Sequence, residues 1–115
     1  MVSDEANIVA TLARKLARTA RQVEAGCDLT SRSLLLLSHL YRFSAYLYMY
    51  QDGGVLSDAA WDRLARFLTQ PDIKEKIVPV FMRADELSAH TGMGVKLSPA
   101  EVKLAVAMAE YAGKR

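Results

Sequence analysis

The side chains best suited to binding chemistry lie in the middle of the chain: Tyr48, Asp58, Trp61 and Asp62. The ring of Trp61 or Tyr48 can stack on a cationic ring, with a gain of about 0.5–2 kcal/mol. Asp58 and Asp62 are four residues apart, so they share one helix face and can accept hydrogen bonds from sugar hydroxyls. We therefore expect all four side chains to converge on one cleft that is open to solvent.

A phosphate group on such a ligand would need a different partner, because carboxylates repel it. Candidate donors are Arg42, His39 and the backbone N–H groups at the start of the helix that carries Asp58. Four further basic residues lie along the first predicted helix, with no acid between them: Arg14, Lys15, Arg18 and Arg21. Such a stripe usually faces solvent, but it can also contact the phosphates of a nucleic acid or an acidic partner.

Each of these residues also has a purely structural interpretation. Asp58 is favourable at the start of a helix because of the helix dipole. Asp62 can pair with Arg63, Arg66 or an arginine of the first helix, and Trp61 can belong to the core. Tyrosines on several faces of one helix must partly serve packing. No second histidine stands at metal-ligand spacing from His39 or His90, so no metal site is predicted.

The elements that must position these residues are all predicted to be helices. Apolar periodicity indicates a first helix from about Asp4 to Glu24, ended by Gly26. A second helix starts after Thr30 or Ser31 and continues to about Tyr50. It is apolar on more than one side, so we expect it to be central. The apolar stripe of the first helix consists of Ile8, Leu12, Leu16, Ala20 and Val23.

Turn and cap residues divide the rest of the chain. Asp52-Gly53-Gly54 is a turn signal, after which Ser57 caps a third helix, about Asp58–Leu68. Pro71 opens a short helix of about 72–76, and another short piece is expected at 79–82 or 84–88. Residues 90–94 are predicted to form a loop.

The last helix begins with a capping box of Ser98 and Glu101, runs to about Tyr111 and ends at Gly113. No internal repeat, low-complexity stretch or β-hairpin signal is visible. The fold class that follows is all-α: one domain over residues 1–115, a small bundle of about four to five helices with a central tyrosine-rich helix and a following helix-turn-helix.

The stretch from Tyr46 to Leu64 resembles the N-terminal nicotinamide-mononucleotide-binding domain of bacterial NAD-dependent DNA ligases. The shared pattern is a tyrosine-rich helix, an Asp-containing turn, then Ser-Asp-x-x-aromatic-Asp-x-Leu, and the spacing matches without a gap. The resemblance covers about residues 37–68. More loosely, the chain also resembles small bacteriophage proteins described as ligase-related, through residues 91–94.

This resemblance implies that Tyr48, Asp58, Trp61 and Asp62 bind a nicotinamide nucleotide, either NAD or nicotinamide mononucleotide. Trp61 stands where the ligases have a tyrosine, so it keeps the aromatic face without the hydroxyl. Met49 replaces a histidine and removes a polar contact to the nucleotide. By the same resemblance, the chain is a phage-encoded accessory protein of nucleic-acid metabolism or host take-over.

The composition of the chain and the motifs it lacks exclude several classes of function. Ligase chemistry needs a nucleophilic lysine in a Lys-x-Asp-Gly setting, which this sequence lacks, so we expect no ligase activity. The single cysteine, Cys27, cannot form an internal disulfide. No apolar run of the sequence is long enough for a membrane span, and the acidic N-terminus is unlike a secretory signal. We expect a cytoplasmic protein.

Two alternatives to nucleotide binding stay open. The helical scaffold can serve as a protein-interaction module that binds and inhibits a host protein or forms a homodimer through exposed tyrosines and methionines. Alternatively, the basic face of the first helix can bind DNA through Arg14, Arg18 and Arg21, with Arg42 as a further candidate contact. A formal net charge of only +2 does not by itself indicate a nucleic-acid partner.

Overall fold

In a computed structural model that describes residues 4–51, 53–88 and 95–113, the chain is all-helical, as predicted. These ranges contain six α-helices and one 3-10 turn, and no strand. The turn is Leu29–Ser31, and the helices are α1 (Asp4–Glu24), α2 (Leu34–Tyr50), α3 (Asp58–Leu68), α4 (Pro71–Ile77), α5 (Ala84–Ser88) and α6 (Pro99–Tyr111). The predicted turn residue Asp52 and the predicted loop 90–94 lie outside the described residues.

Helix α1 has the predicted bounds, and most of its apolar stripe lies in the core. Leu16, Ala20 and Val23 are buried, and Leu12 packs partly against them. Ile8, however, is 66% exposed, so its predicted place in the buried stripe is wrong. The contact of α1 with the core therefore begins about one turn after Ile8.

Helix α2 is the central helix, as expected from its apolar faces. It contacts α1, α3, α4 and α6, and most of its residues are buried. Its cap is Ser33, whose hydroxyl accepts the N–H of Leu36 at 3.3 Å, and not Thr30 or Ser31. The reason is that Asp28 accepts hydrogen bonds from the backbone and side chain of Thr30, which fixes a separate turn before the helix.

Helices α3 and α6 begin where cap residues predict. Ser57 caps α3 by accepting the N–H of Ala60, and Ser98 and Glu101 form the full capping box at the start of α6. The short piece forms at 84–88 and not at 79–82. Within the described ranges, no helix combines the length and the apolar character that a membrane span requires.

One buried arginine joins the C-terminal helices to α2. Arg42 donates from Nε to a Glu86 carboxylate oxygen at 2.8 Å and from Nη2 to the carbonyl of Lys96 at 3.1 Å, and its Nη1 binds Glu101. Glu86 is only 3% exposed, so the ion pair with Arg42 is largely buried. Arg42 therefore connects α2 to both α5 and α6.

Candidate functional site

The α2–α3 hairpin carries the predicted site, and contacts with α1 hold α3 in place. Glu24 at the end of α1 accepts hydrogen bonds from the Ser57 backbone N–H at 2.8 Å and the Ser57 hydroxyl at 2.6 Å. Arg63 donates to the carbonyls of Val23 at 2.6 Å and Cys27 at 2.9 Å. Since these carbonyls belong to the C-terminal end of α1 and the turn after it, Arg63 acts as a cap from another helix.

Trp61 lies half-buried against α2, in a fixed orientation. Its ring stacks on that of Tyr41, with centroids 5.0 Å apart and an angle of 17°. Its indole N–H donates to the Tyr41 carbonyl at 3.4 Å. Tyr41 is itself fully buried and donates to the Glu86 carbonyl at 2.9 Å, and burial raises the pKa of Tyr41 to about 12. One face of the indole is thus covered by the core.

Tyr48 lies two helical turns beyond Tyr41 on the same side of α2, and 63% of it is exposed. The turn before α3 packs against this side. A Cβ added at Gly54 would lie 3.3 Å from the Ser44 carbonyl oxygen and 3.7 Å from the Cβ of Tyr48. Gly54 therefore allows the turn to approach the base of the Tyr48 side chain closely.

Asp58 and Asp62 are both exposed on α3. Neither carboxylate forms an ion pair or hydrogen bond with a side chain in the described ranges. Arg63, an expected partner of Asp62, is directed to α1 instead. Both carboxylates are therefore accessible as hydrogen-bond acceptors, with their charge not offset by a direct contact in those ranges.

The four predicted residues thus lie on one helical hairpin, with three exposed and Trp61 half-buried. The ring contact of Trp61 is with Tyr41, one of the α2 tyrosines for which the sequence predicts only a share in packing. A cleft shared by Trp61 and Tyr48 stays a prediction.

The structure does not place either predicted phosphate-binding side chain, Arg42 or His39, where it can bind a phosphate as expected. All the guanidinium nitrogens of Arg42 are engaged by α5, α6 and the Lys96 carbonyl, so Arg42 is not free to contact a phosphate. His39 is half-buried and stacks on Phe43 at 5.2 Å. Burial, with a smaller effect from Arg42, lowers the pKa of His39, so it supplies little positive charge at neutral pH. Neither side chain offers the expected phosphate contact.

The basic stripe of α1 is exposed, but two of its arginines also hold α6. The Arg14 guanidinium lies 5.4 Å above the centre of the Tyr111 ring, and Arg21 donates to the Tyr111 carbonyl at 3.2 Å. Arg18 and Lys15 remain exposed. The stripe therefore contributes to the packing of the bundle as well as to its surface charge.

No group of three His, Cys, Asp or Glu side chains capable of holding a metal forms among the residues described.

The most informative roles that the sequence did not predict are those of Arg63 and Glu24, which orient α3. A helix C-terminus leaves carbonyls unpaired, but no local signal indicates which distant arginine will reach them.

Comparison with known proteins gives no relative: no family model, curated protein or solved structure matches the chain.

Proposed function

We propose that this protein is a non-catalytic nucleotide-binding accessory module, whose binding surface is the exposed face of the α2–α3 hairpin. The ligand is a nicotinamide nucleotide, and the resemblance to the ligase domain supports this choice. The single observation that carries the proposal is that Asp58 and Asp62 are exposed on one helix face with no partner in the described part of the chain. Solvated carboxylates beside an oriented indole suit a ligand with hydroxyls and a cationic ring.

Trp61 supplies the stacking group in this proposal. Because Tyr41 and the indole hydrogen bond fix its orientation, little side-chain entropy is lost when a ring stacks on the indole's accessible part. Tyr48 adds an exposed aromatic ring from α2. Since neither Arg42 nor His39 is available for phosphate, the backbone N–H groups at the start of α3 are the remaining candidate phosphate donors, and recognition otherwise rests on the nicotinamide and ribose groups.

Calorimetric titration tests the proposal. We expect saturable binding of nicotinamide mononucleotide and NAD, and none of ADP-ribose, which lacks the cationic ring. The double variant Asp58→Asn/Asp62→Asn should weaken binding about tenfold, equivalent to about 1.4 kcal/mol. The variant Asp72→Asn, which removes an exposed acid from the first turn of α4, serves as the matched control. Absence of heat with both nicotinamide mononucleotide and NAD at millimolar concentration contradicts the proposal.

A second candidate function is protein interaction, favoured by the exposed aromatic end of α2. Tyr48, Met49 and Tyr50 are 63%, 40% and 61% exposed, and the Tyr46 and Tyr50 rings lie 5.1 Å apart. Aromatic residues and methionine are enriched in protein interfaces. Sedimentation equilibrium of the wild type and of Tyr48→Ser/Tyr50→Ser tests for a homodimer: self-association that the double variant abolishes supports this function, and a monomeric wild type contradicts the homodimer.

A further inference from the structure

A groove of about 530 Å³ lies between the turn that follows α1 and the side of α3 that faces away from Trp61. Its volume is in the range of small-molecule sites. Trp61 contacts α2, whereas Arg63, two residues later, contacts α1, so the groove lies on the opposite side of α3 from the indole. Arg66, four residues after Asp62, lies at the border between the groove and the exposed carboxylate face. The lining of the groove includes Cys27, Asp28, Leu29, Arg63, Arg66 and Phe67.

The charge of the groove is positive. Arg63 is bound to backbone carbonyls, which do not cancel its charge. Arg66 is exposed, and its guanidinium forms no ion pair with a described residue, not even with Asp62 one turn earlier. Among the residues that line the groove Asp28 is the only acid, and its carboxylate already accepts two hydrogen bonds from Thr30.

The groove also offers apolar surface next to these cations. Leu29 and Phe67 are largely buried, and both belong to its lining. Gln70, an extended residue between α3 and α4, also lines the groove and supplies a side-chain amide. A guanidinium binds carboxylate or phosphate oxygens through paired hydrogen bonds, and the adjacent apolar surface suits an aromatic or aliphatic group.

We propose that this groove is a second binding site, for a small organic oxyanion with an apolar body. Arg66 binds the oxyanion, Gln70 provides an additional donor, and Leu29 and Phe67 contact the apolar body. The assignment rests on charge complementarity and on the free Arg66 guanidinium. It does not depend on nucleotide binding at the hairpin surface, because the two sites use different residues.

Titration followed by amide chemical shifts tests this site, with benzoate, phenyl phosphate and neutral benzamide as probes. We expect one or both anions to give saturable shifts of the backbone amides of residues 26–30 and 66–70, and the tighter of the two identifies the preferred oxyanion. The same anion should slow alkylation of Cys27 by N-ethylmaleimide, which reports on the groove directly because the chain has a single cysteine.

Matched arginine variants separate a specific site from general charge attraction. Arg66→Gln should weaken anion binding about tenfold without lowering stability, since its side chain has no partner among the described residues. Arg18→Gln removes an exposed arginine of α1 and should leave binding unchanged. The proposal is overturned if benzamide binds as tightly as the anions, if Arg66→Gln binds them like the wild type, or if neither anion reaches saturation.

Discussion

Arg63 illustrates how a single residue can determine where a binding face lies. Its guanidinium reaches back to the end of α1 and satisfies two carbonyls that would otherwise lack a partner within the helix. Because it is used there, it does not neutralise the neighbouring Asp62. The same contact therefore anchors α3 and leaves the carboxylate free for a ligand.

Replacing Arg63 by glutamine should lower the free energy of unfolding by about 1–3 kcal/mol, because hydrogen bonds from a charged donor are lost. Urea denaturation followed by circular dichroism measures this change. Arg66→Gln, one turn further along α3, is the control and should differ from wild type by less than about 0.5 kcal/mol. Equal stability of the two variants would show that Arg63 does not anchor the helix.

At the scale of elements, the bundle depends on polar contacts between helix ends as well as on its apolar core. The serine cap of α3 is shared, since Ser57 donates to Glu24 of α1 while its hydroxyl also accepts the Ala60 N–H. Likewise, Arg42 of α2 holds Glu86 of α5 and Glu101 of α6. These contacts orient the hairpin and fix the helices packed behind it.

Ser57→Ala removes a cap and a contact between helices at once. Loss of a serine cap costs about 0.5–2 kcal/mol, and we expect the upper part of this range here because the hydrogen bond to Glu24 is also lost. Ser33→Ala is the matched control, because Ser33 caps α2 with a single hydrogen bond to Leu36. Thermal and urea unfolding should show the larger loss for Ser57→Ala, and a larger loss for Ser33→Ala would refute the shared role.

The contact between Arg42 and Glu101 should make stability sensitive to acid. Although burial alone raises the pKa of Glu101, the hydrogen bonds from Arg42 and from the Ser98 backbone outweigh it and lower the pKa below its usual 4.5. A carboxylate whose pKa is lowered by folding stabilises the fold at any pH above its pKa in the unfolded state. This contribution is lost as the pH falls through its pKa in the folded state.

Unfolding measured from about pH 6 to about pH 3 should therefore show a smaller loss of stability for Glu101→Gln than for wild type. Glu110→Gln, an exposed residue of the same helix, should behave like wild type. At neutral pH, Arg42→Met should cost about 3–5 kcal/mol because it removes the guanidinium that pairs with both the buried Glu86 and Glu101. A Glu101→Gln variant with the wild-type pH dependence would contradict the assignment of this contribution.

At the scale of the whole molecule, sequence patterns predicted the helices well because their signals are local. Ser57, Ser98 and the apolar spacing of α1 act within a few residues, so the bounds of α1, α3 and α6 agree with prediction. The start of α2 was misplaced because Asp28 forms a separate turn with Thr30. The roles of Arg42 and Arg63 were not predictable, because their partners are distant in sequence.

In the candidate site, too, the sequence predicts the features that depend on neighbouring residues and not those that depend on distant ones. Helical spacing correctly predicts that Asp58 and Asp62 share the exposed face of α3. It does not reveal that the indole of Trp61 stacks on Tyr41, since that pairing depends on how α3 packs against α2. The account predicts a ligand that contacts the carboxylates and the accessible part of the indole together.

The most direct test of this claim is the indole N–H signal of Trp61, which is the single tryptophan of the chain. In a titration with nicotinamide mononucleotide, we expect saturable shifts of this signal and of the backbone amides of residues 58–62, both weakened in Asp58→Asn/Asp62→Asn. If the indole signal and these amides stay unchanged at millimolar ligand, or if the double variant titrates like wild type, the hairpin face is not a nucleotide-binding surface.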